Sequence, residues 1–143
     1  MVANGYVKTY RSNAVLTASP GQLVLMLFDG ALKSMALAKE AFDRPEADGR
    51  RIEIINHQLQ KAQNILQELQ NGLNMEAGGD FAKTLDRLYD YHIRRLFEAN
   101  LRKDVAPVIE VEGLVGSLRD AWSEMLAKQE SETQPVENLR GVA

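Results

Sequence analysis

The stretch "RRIEIINHQLQKAQNILQELQNGL", residues 50–73, decides the fold. Its apolar residues Ile52, Ile55, Leu59, Ala62, Leu66, Leu69 and Leu73 are separated alternately by three and four positions. At about 100° of rotation per residue, that spacing lines them up along one narrow stripe of an α-helix. Most residues between them are Gln, Asn, Glu, Lys or Arg, which solvate the remaining surface. A helix with one apolar seam cannot bury it alone, so the stretch predicts one member of a helical bundle.

Upstream, "SPGQ" at residues 19–22 carries a helix start: Ser19 as N-cap, Pro20 at the first helical position, and Gln22 placed to close a capping box. A first helix over Pro20–Phe42 is predicted, ended by the turn residues "DRPEADG" at 43–49. Downstream, "NGLNMEAGGD" at 71–80 interrupts the pattern, with Gly78 and Gly79 as breakers and Asp80 positioned to cap a third helix from near Phe81 to near Arg102. Its core line is Leu85, Leu88, His92, Leu96 and Ala99, flanked by Tyr89, Ile93 and Phe97. Asp104 can cap a fourth helix, whose first turn tolerates Pro107 because an early amide has no acceptor to lose. Val108, Val111, Val115, Leu118, Trp122 and Met125 keep the same rhythm there, with Leu114 and Leu126 beside them. No strand signal competes. Short connections force neighbours to run in opposite directions, so the expected fold is all-α, an antiparallel four-helix bundle over residues 19–128. An N-terminal arm over residues 1–18 carries Tyr6 and Tyr10, and the polar residues 129–143 read as a disordered, flexible tail.

Composition bounds what such a bundle does. At 143 residues, 45% hydrophobic and 26% charged, the chain is expected to be one ordinary globular domain. The absence of cysteine removes thiol chemistry and fits a reducing compartment, the cytosol by default. The N-terminus lacks a signal-peptide h-region and no long uninterrupted apolar run is present, so neither export by a signal peptide nor membrane insertion is expected. With 17 Lys+Arg against 20 Asp+Glu, nucleic acid is not an expected partner.

Catalytic patterns are missing. Bundles that hold two metals use Glu-x-x-His pairs, and this chain has none. His57 and His92 fall on different helices, and the core lines contain no carboxylate to complete a site, so no metal, no cofactor and no catalytic residue is expected. His92, on the core line of the third helix, reads as a structural residue rather than a titrating switch. Arg87, Arg94, Arg95 and Arg102 give that helix a basic character interleaved with Asp86, Asp90 and Glu98, the pattern of a solvated face that can also dock an acidic partner.

The first helix is apolar on two sides. Leu23, Leu27, Ala31, Ser34, Ala38 and Ala41 form a stripe of mostly small residues suited to a close helix neighbour. Leu25, Phe28, Leu32 and Met35 form a second, bulkier stripe roughly 100° further round. Two readings stay open: a wide core face spanning two neighbours, or a groove for an amphipathic partner helix, which the arm could cover. A groove of this kind can equally serve to form a homodimer.

The segment "LTASPGQLVLMLFDGAL", residues 16–32, is similar to the signature of the flagellar secretion chaperone FliS family. "LDRLYDYHIRRLFEANLRKD" and "EVEGLVGSLRDAW" resemble the third and fourth helices of that family, and Tyr6 stands where its N-terminal tyrosine is expected. Phe28, where many members have tyrosine, and His92, where an aliphatic residue or Met is usual, depart from the pattern. The resemblance implies a non-enzymatic cytosolic chaperone. It would bind the C-terminal segment of newly made flagellin, prevent early polymerisation and support type III export. Flagellar regulators, a co-chaperone or the export gate are the further partners it suggests, with the chain a monomer or homodimer. On this reading the partner-binding residues are Tyr6, Tyr10, Leu25, Phe28, Leu32, Met35, Tyr89 and Ile93.

Overall fold

A computed structural model describes the backbone of residues 17–142 and the side chains as far as residue 132. Tyr6 and Tyr10 lie outside the described residues. Four helices are described: α1 (Pro20–Phe42), α2 (Arg51–Asn71), α3 (Met75–Arg102) and α4 (Ala106–Val142).

The start of α1 is set locally. The Gln22 amide donates to Ser19 Oγ at 3.2 Å and the Ser19 amide donates to Gln22 Oε1 at 3.3 Å, so the capping box satisfies two otherwise orphaned donors. By length and composition α1 could cross a membrane, but six of its residues are buried inside this bundle. α2 buries Ile55, Leu59, Ala62, Leu66 and Leu69 of the seam read from its spacing, whereas Ile52 near its start is exposed and Leu73 just past its end is half-buried.

The start of α3 differs from expectation. Asn74 Oδ1 accepts the Ala77 amide at 3.0 Å, so a helical turn begins at Met75, ahead of the glycine pair. Gly79, with φ 55° and ψ −133°, then breaks the helix and lets it restart in a new direction. The glycine break is therefore a kink inside α3, and the cap that starts the helix is Asn74. At the far end Lys103 takes the left-handed conformation, φ 53°, and its ammonium donates to Asn56 Oδ1 and to the Asn100 carbonyl, tying the corner to α2. Asp104 Oδ1 accepts the Ala106 amide at 3.0 Å and starts α4 as expected.

Side-chain bonds give the topology. Gln63 donates to the Ile93 carbonyl and Gln70 to Asp86, so rising numbers on α2 meet falling numbers on α3. Lys39 pairs with Glu112 and Asp29 with Arg119, so α1 and α4 are also antiparallel and close the ring. The bundle is up-down-up-down, with every helix touching two neighbours. Met35, Ile55, Leu59, Leu66, Leu96, Val108, Val111 and Val115 fill its centre. Each such side chain contributes roughly 1.5–3 kcal/mol by leaving water.

The backbone of α4 stays helical beyond Lys128 to Val142. Residues 129–132 are exposed, and local propensity alone is marginal in water. Two glycines sit on the outer face of α4: a Cβ added at Gly113 or Gly116 would meet nothing within 4 Å. Gly113→Ala and Gly116→Ala should each stabilise the bundle by about 0.5–1 kcal/mol, read as a higher denaturant midpoint at unchanged m-value.

Candidate partner-binding surface

α1 meets α2 on one side and α4 on the other. Gly30 approaches Ile65 of α2, whereas Gly21 lies under Leu126 of α4 and accepts Trp122 Nε1–H at its carbonyl, 2.8 Å away. On the helical wheel the small-residue stripe points to the centre and α2, and the bulkier stripe lies on the side that carries Lys39 and Gly21 toward α4. A helix in a four-membered ring has neighbours about a quarter-turn apart, so it needs an apolar arc near half its circumference. The unusual greasiness of α1 is thereby explained.

The bulkier stripe is accordingly not an open groove. Phe28 is 3% exposed and Met35 fully buried, both inside the core, while Leu32 packs against the core from the α4 side and Leu25 is half-buried. On α3, Tyr89 is buried and Ile93 is half-buried against the core. A partner could reach Leu25 and the edges of Leu32 and Ile93, but Phe28, Met35 and Tyr89 are core residues in this structure. Their spacing marked them as apolar, and only the position of α4 shows that they are covered.

Besides Met26 of α1 and Ile109 of α4, 40% and 54% exposed, the large apolar side chains that face solvent among the described residues fall into two groups. Toward the end of the bundle where α3 begins are Met75, Phe81 and Met125, with Phe81 71% exposed, and Leu114 continues this group to the middle of α4's packed length. At the opposite end Phe97 and Leu101 stand out from α3, 56% and 72% exposed, with Ile52 of α2 nearby in the antiparallel register. Phe97 and Leu114 had appeared in the sequence only as residues beside a core line. Exposure separates them from true core positions.

The first group borders the seam between α3 and α4. Among the described residues, cross-links hold that seam shut around Glu110: Tyr91 Oη–H and Arg95 Nε–H both donate to it, at 2.9 and 2.8 Å, and Arg95 also pairs with Glu98. Arg95 and Tyr91 hold the Glu110 carboxyl below its ordinary range, and the carboxylate in turn raises Arg95 and Tyr91. Continuing that register away from Glu110 brings Leu88 level with Leu114 and Phe81 level with Trp122. Among the described residues no hydrogen bond crosses this half of the seam, leaving it lined by apolar side chains. An open concavity of about 360 Å³ continues along α4 there, bounded by Ala121, Glu124, Met125, Lys128, Gln129 and Glu132.

His92 is 1% exposed, and neither ring nitrogen has a partner among the described residues. Tyr89 and Tyr91 present ring edges to it at 6.1 and 6.3 Å between centroids. Burial pushes its pKa down to about 4, outweighing the attraction of Glu110, so the imidazole is neutral and apolar in effect at neutral pH. Burial likewise pushes the Tyr89 hydroxyl up to about 12. No group of three or more His, Cys, Asp or Glu side chains converges among the described residues. The surface offers apolar contact area and nothing that reads as a reaction centre.

A family model described as flagellar protein FliS matches residues 2–130. The chain is similar to the flagellar secretion chaperone FliS of Bacillus subtilis, 38% identical over 128 residues that cover 90% of either chain. It is similar to the protein of that name from Salmonella typhimurium, 40% identical over 124 residues, 86% of this chain and 88% of the other. The Escherichia coli counterpart is 37% identical over 132 residues, 92% and 93% of the two chains.

Proposed function

The chain belongs to the FliS family of flagellar proteins, and from that premise we propose that it is a cytosolic chaperone that binds the C-terminal segment of newly made flagellin. Its relatives are flagellar secretion chaperones. The observation that carries the finer reading is the apolar α3–α4 seam: Phe81, Leu114 and Met125 face solvent beside a core that is complete without them. Exposed side chains of this size are stable in water only at a cost, and a binding surface is the common reason to keep them.

The mechanism follows from chemistry of this kind. A segment destined to polymerise carries an apolar face that must be hidden until export. Lying as a helix along the seam, it would bury that face against Leu88, Leu114 and Met125. Ordering a disordered segment costs several kcal/mol, so the contact must be long rather than deep. A dissociation constant below about 1 μM, near −8 kcal/mol, suits a partner that must later be released. While the segment is held, premature filament assembly is blocked and the type III pathway receives an unpolymerised substrate.

Titrating the protein with a peptide covering the flagellin C-terminus should release or absorb heat at one-to-one stoichiometry and increase far-UV helical ellipticity. No binding, or binding without added helix, sinks this reading. Phe81→Asp and Leu114→Asp should each weaken the peptide about tenfold or more while the thermal midpoint stays within a few degrees of the parent. Light scattering on the same samples separates a dimerisation surface from a cargo surface. A dimer whose mass is unchanged by peptide favours dimerisation.

A further inference from the structure

The outer face of α3 carries a charge pattern that the cargo surface does not use. Lys83, Arg87, Arg94 and Arg102 are all exposed, and among the described residues none has a carboxylate within ion-pairing distance. Arg94 instead lies over the Tyr91 ring, 5.9 Å from its centroid, where it is held in place without being neutralised. Arg95, the neighbour that sequence alone would group with it, is committed inward to Glu98 and Glu110. Two acids share this face: Asp90 accepts from Gln70 at 2.6 Å and is drawn toward α2, and Glu98, one turn from both Arg94 and Arg102, is paired with Arg95. On a chain of net charge −3 the result is a locally positive stripe.

Within that stripe are two of the most exposed apolar side chains in the described structure, Phe97 and Leu101, one helical turn apart. Arg87 and Arg94 are one heptad apart, a rise of about 10 Å, and Arg102 lies beyond. Cations at helical spacing beside two apolar anchors match carboxylates at the same spacing beside an apolar ridge. We propose that the outer face of α3 from Arg87 to Arg102 docks an acidic amphipathic helix of a protein other than the flagellar cargo. Charge complementarity names the occupant. A nucleic acid or an anionic membrane would meet the same cations but would leave Phe97 and Leu101 without a shaped partner.

The surface lies on the outer face of α3, from mid-helix to the end away from Phe81, whereas the seam faces α4, so a chaperone could hold cargo and this second partner together. Phe97 and Leu101 would insert between the apolar residues of the docked helix. The arginines would steer its approach and fix its register, and Asp90 would exclude a carboxylate from the one position it faces.

The test uses the isotope-labelled full chain and a synthetic peptide of about eighteen residues, long enough for five turns, with leucines on one face and glutamates flanking them. Amide shift changes confined to residues 87–102 and the adjoining start of α2 are expected, with affinity falling as salt rises. Arg94→Glu should weaken this peptide about tenfold and Leu101→Asp should remove detectable binding, neither variant moving the thermal midpoint. Both variants should bind the flagellin C-terminal peptide as the parent does. The proposal is overturned if the acidic peptide fails to bind or perturbs the α3–α4 seam instead. It is equally overturned if a lysine-for-glutamate version of the peptide binds as well, or if mixed phosphatidylcholine–phosphatidylglycerol vesicles or a single-stranded oligonucleotide bind α3 more tightly than the peptide. Loss of flagellin-peptide binding in Arg94→Glu would show that one surface serves both and would also overturn it.

Discussion

Phe28→Asp should destroy the bundle rather than a binding surface. Phe28 is 3% exposed and lies in the same buried cluster as Met35, Val108 and Val111, so the substitution removes a large apolar side chain and buries a carboxylate among apolar neighbours. The lost burial alone costs about 3–5 kcal/mol, and an unpaired charge or its forced protonation adds to it. A domain of this size has only about 5–15 kcal/mol to lose. Circular dichroism should show a thermal midpoint lowered by well over ten degrees or no cooperative transition at all, about 2–4 °C being lost per kcal/mol. Leu25→Asp, at a half-buried edge, should fall between this and the near-neutral Phe81→Asp. If Phe28→Asp instead folded with an unchanged midpoint, α1 and α4 would have to separate in solution, and the stripe of Leu25, Phe28, Leu32 and Met35 would be open after all.

His92→Met should stabilise the protein and flatten its response to acid. In the folded chain the imidazole sits near pKa 4, against 6.5 in an open chain, because burial penalises its charged form. The unfolded state therefore binds more protons between these values, and stability falls as pH drops from 6.5 toward 4. Above 6.5 the neutral ring carries no such penalty. The loss across the window amounts to about 2–3 kcal/mol, and Glu110 opposes it only weakly. Methionine of similar size removes two buried nitrogens that have no partner, worth about 1–3 kcal/mol at neutral pH. Denaturant midpoints measured from pH 7 to pH 4 should be higher for His92→Met throughout and should diverge further from the parent as pH falls. Equal midpoints at every pH would mean that water reaches the ring. Flagellin-peptide binding at neutral pH should be unchanged, since the side chain is shut inside the bundle.

How much could be read before folding is clear from single elements. The seam of α2 was legible because every turn repeats Ile, Leu or Ala, and a helix's period is imposed by its own backbone hydrogen bonds. Ser19, Gln22 and Asp104 were legible as caps because the groups they satisfy are two or three residues away. The start of α3 was misplaced because two glycines outweighed Asn74 as a local signal, although an asparagine before Met-Glu-Ala is itself a sound helix start. Of the residues expected to meet a partner, Phe28, Met35 and Tyr89 are buried in the core. Apolar spacing identified Phe28 and Met35, but the same spacing is required of a helix that serves two neighbours in a ring.

Local chemistry, then, determined four helices, their phases and most of their ends, since each depends on residues within about one turn. Family membership was equally contained in the chain, through a long ordered string of residues from Leu16 to Leu32 and onward through the third and fourth helices. Only the tertiary structure decided which apolar residues are spent on the core. Helix α4 covers one flank of α1, and the ring leaves Phe81, Leu114 and Met125 uncovered along the α3–α4 seam. It also turned Arg95 inward and left Arg94 free beside Phe97 and Leu101. Exposure is a property of neighbours, and those neighbours are brought from as far away as 101 positions in the chain, as Gly21 and Trp122 are.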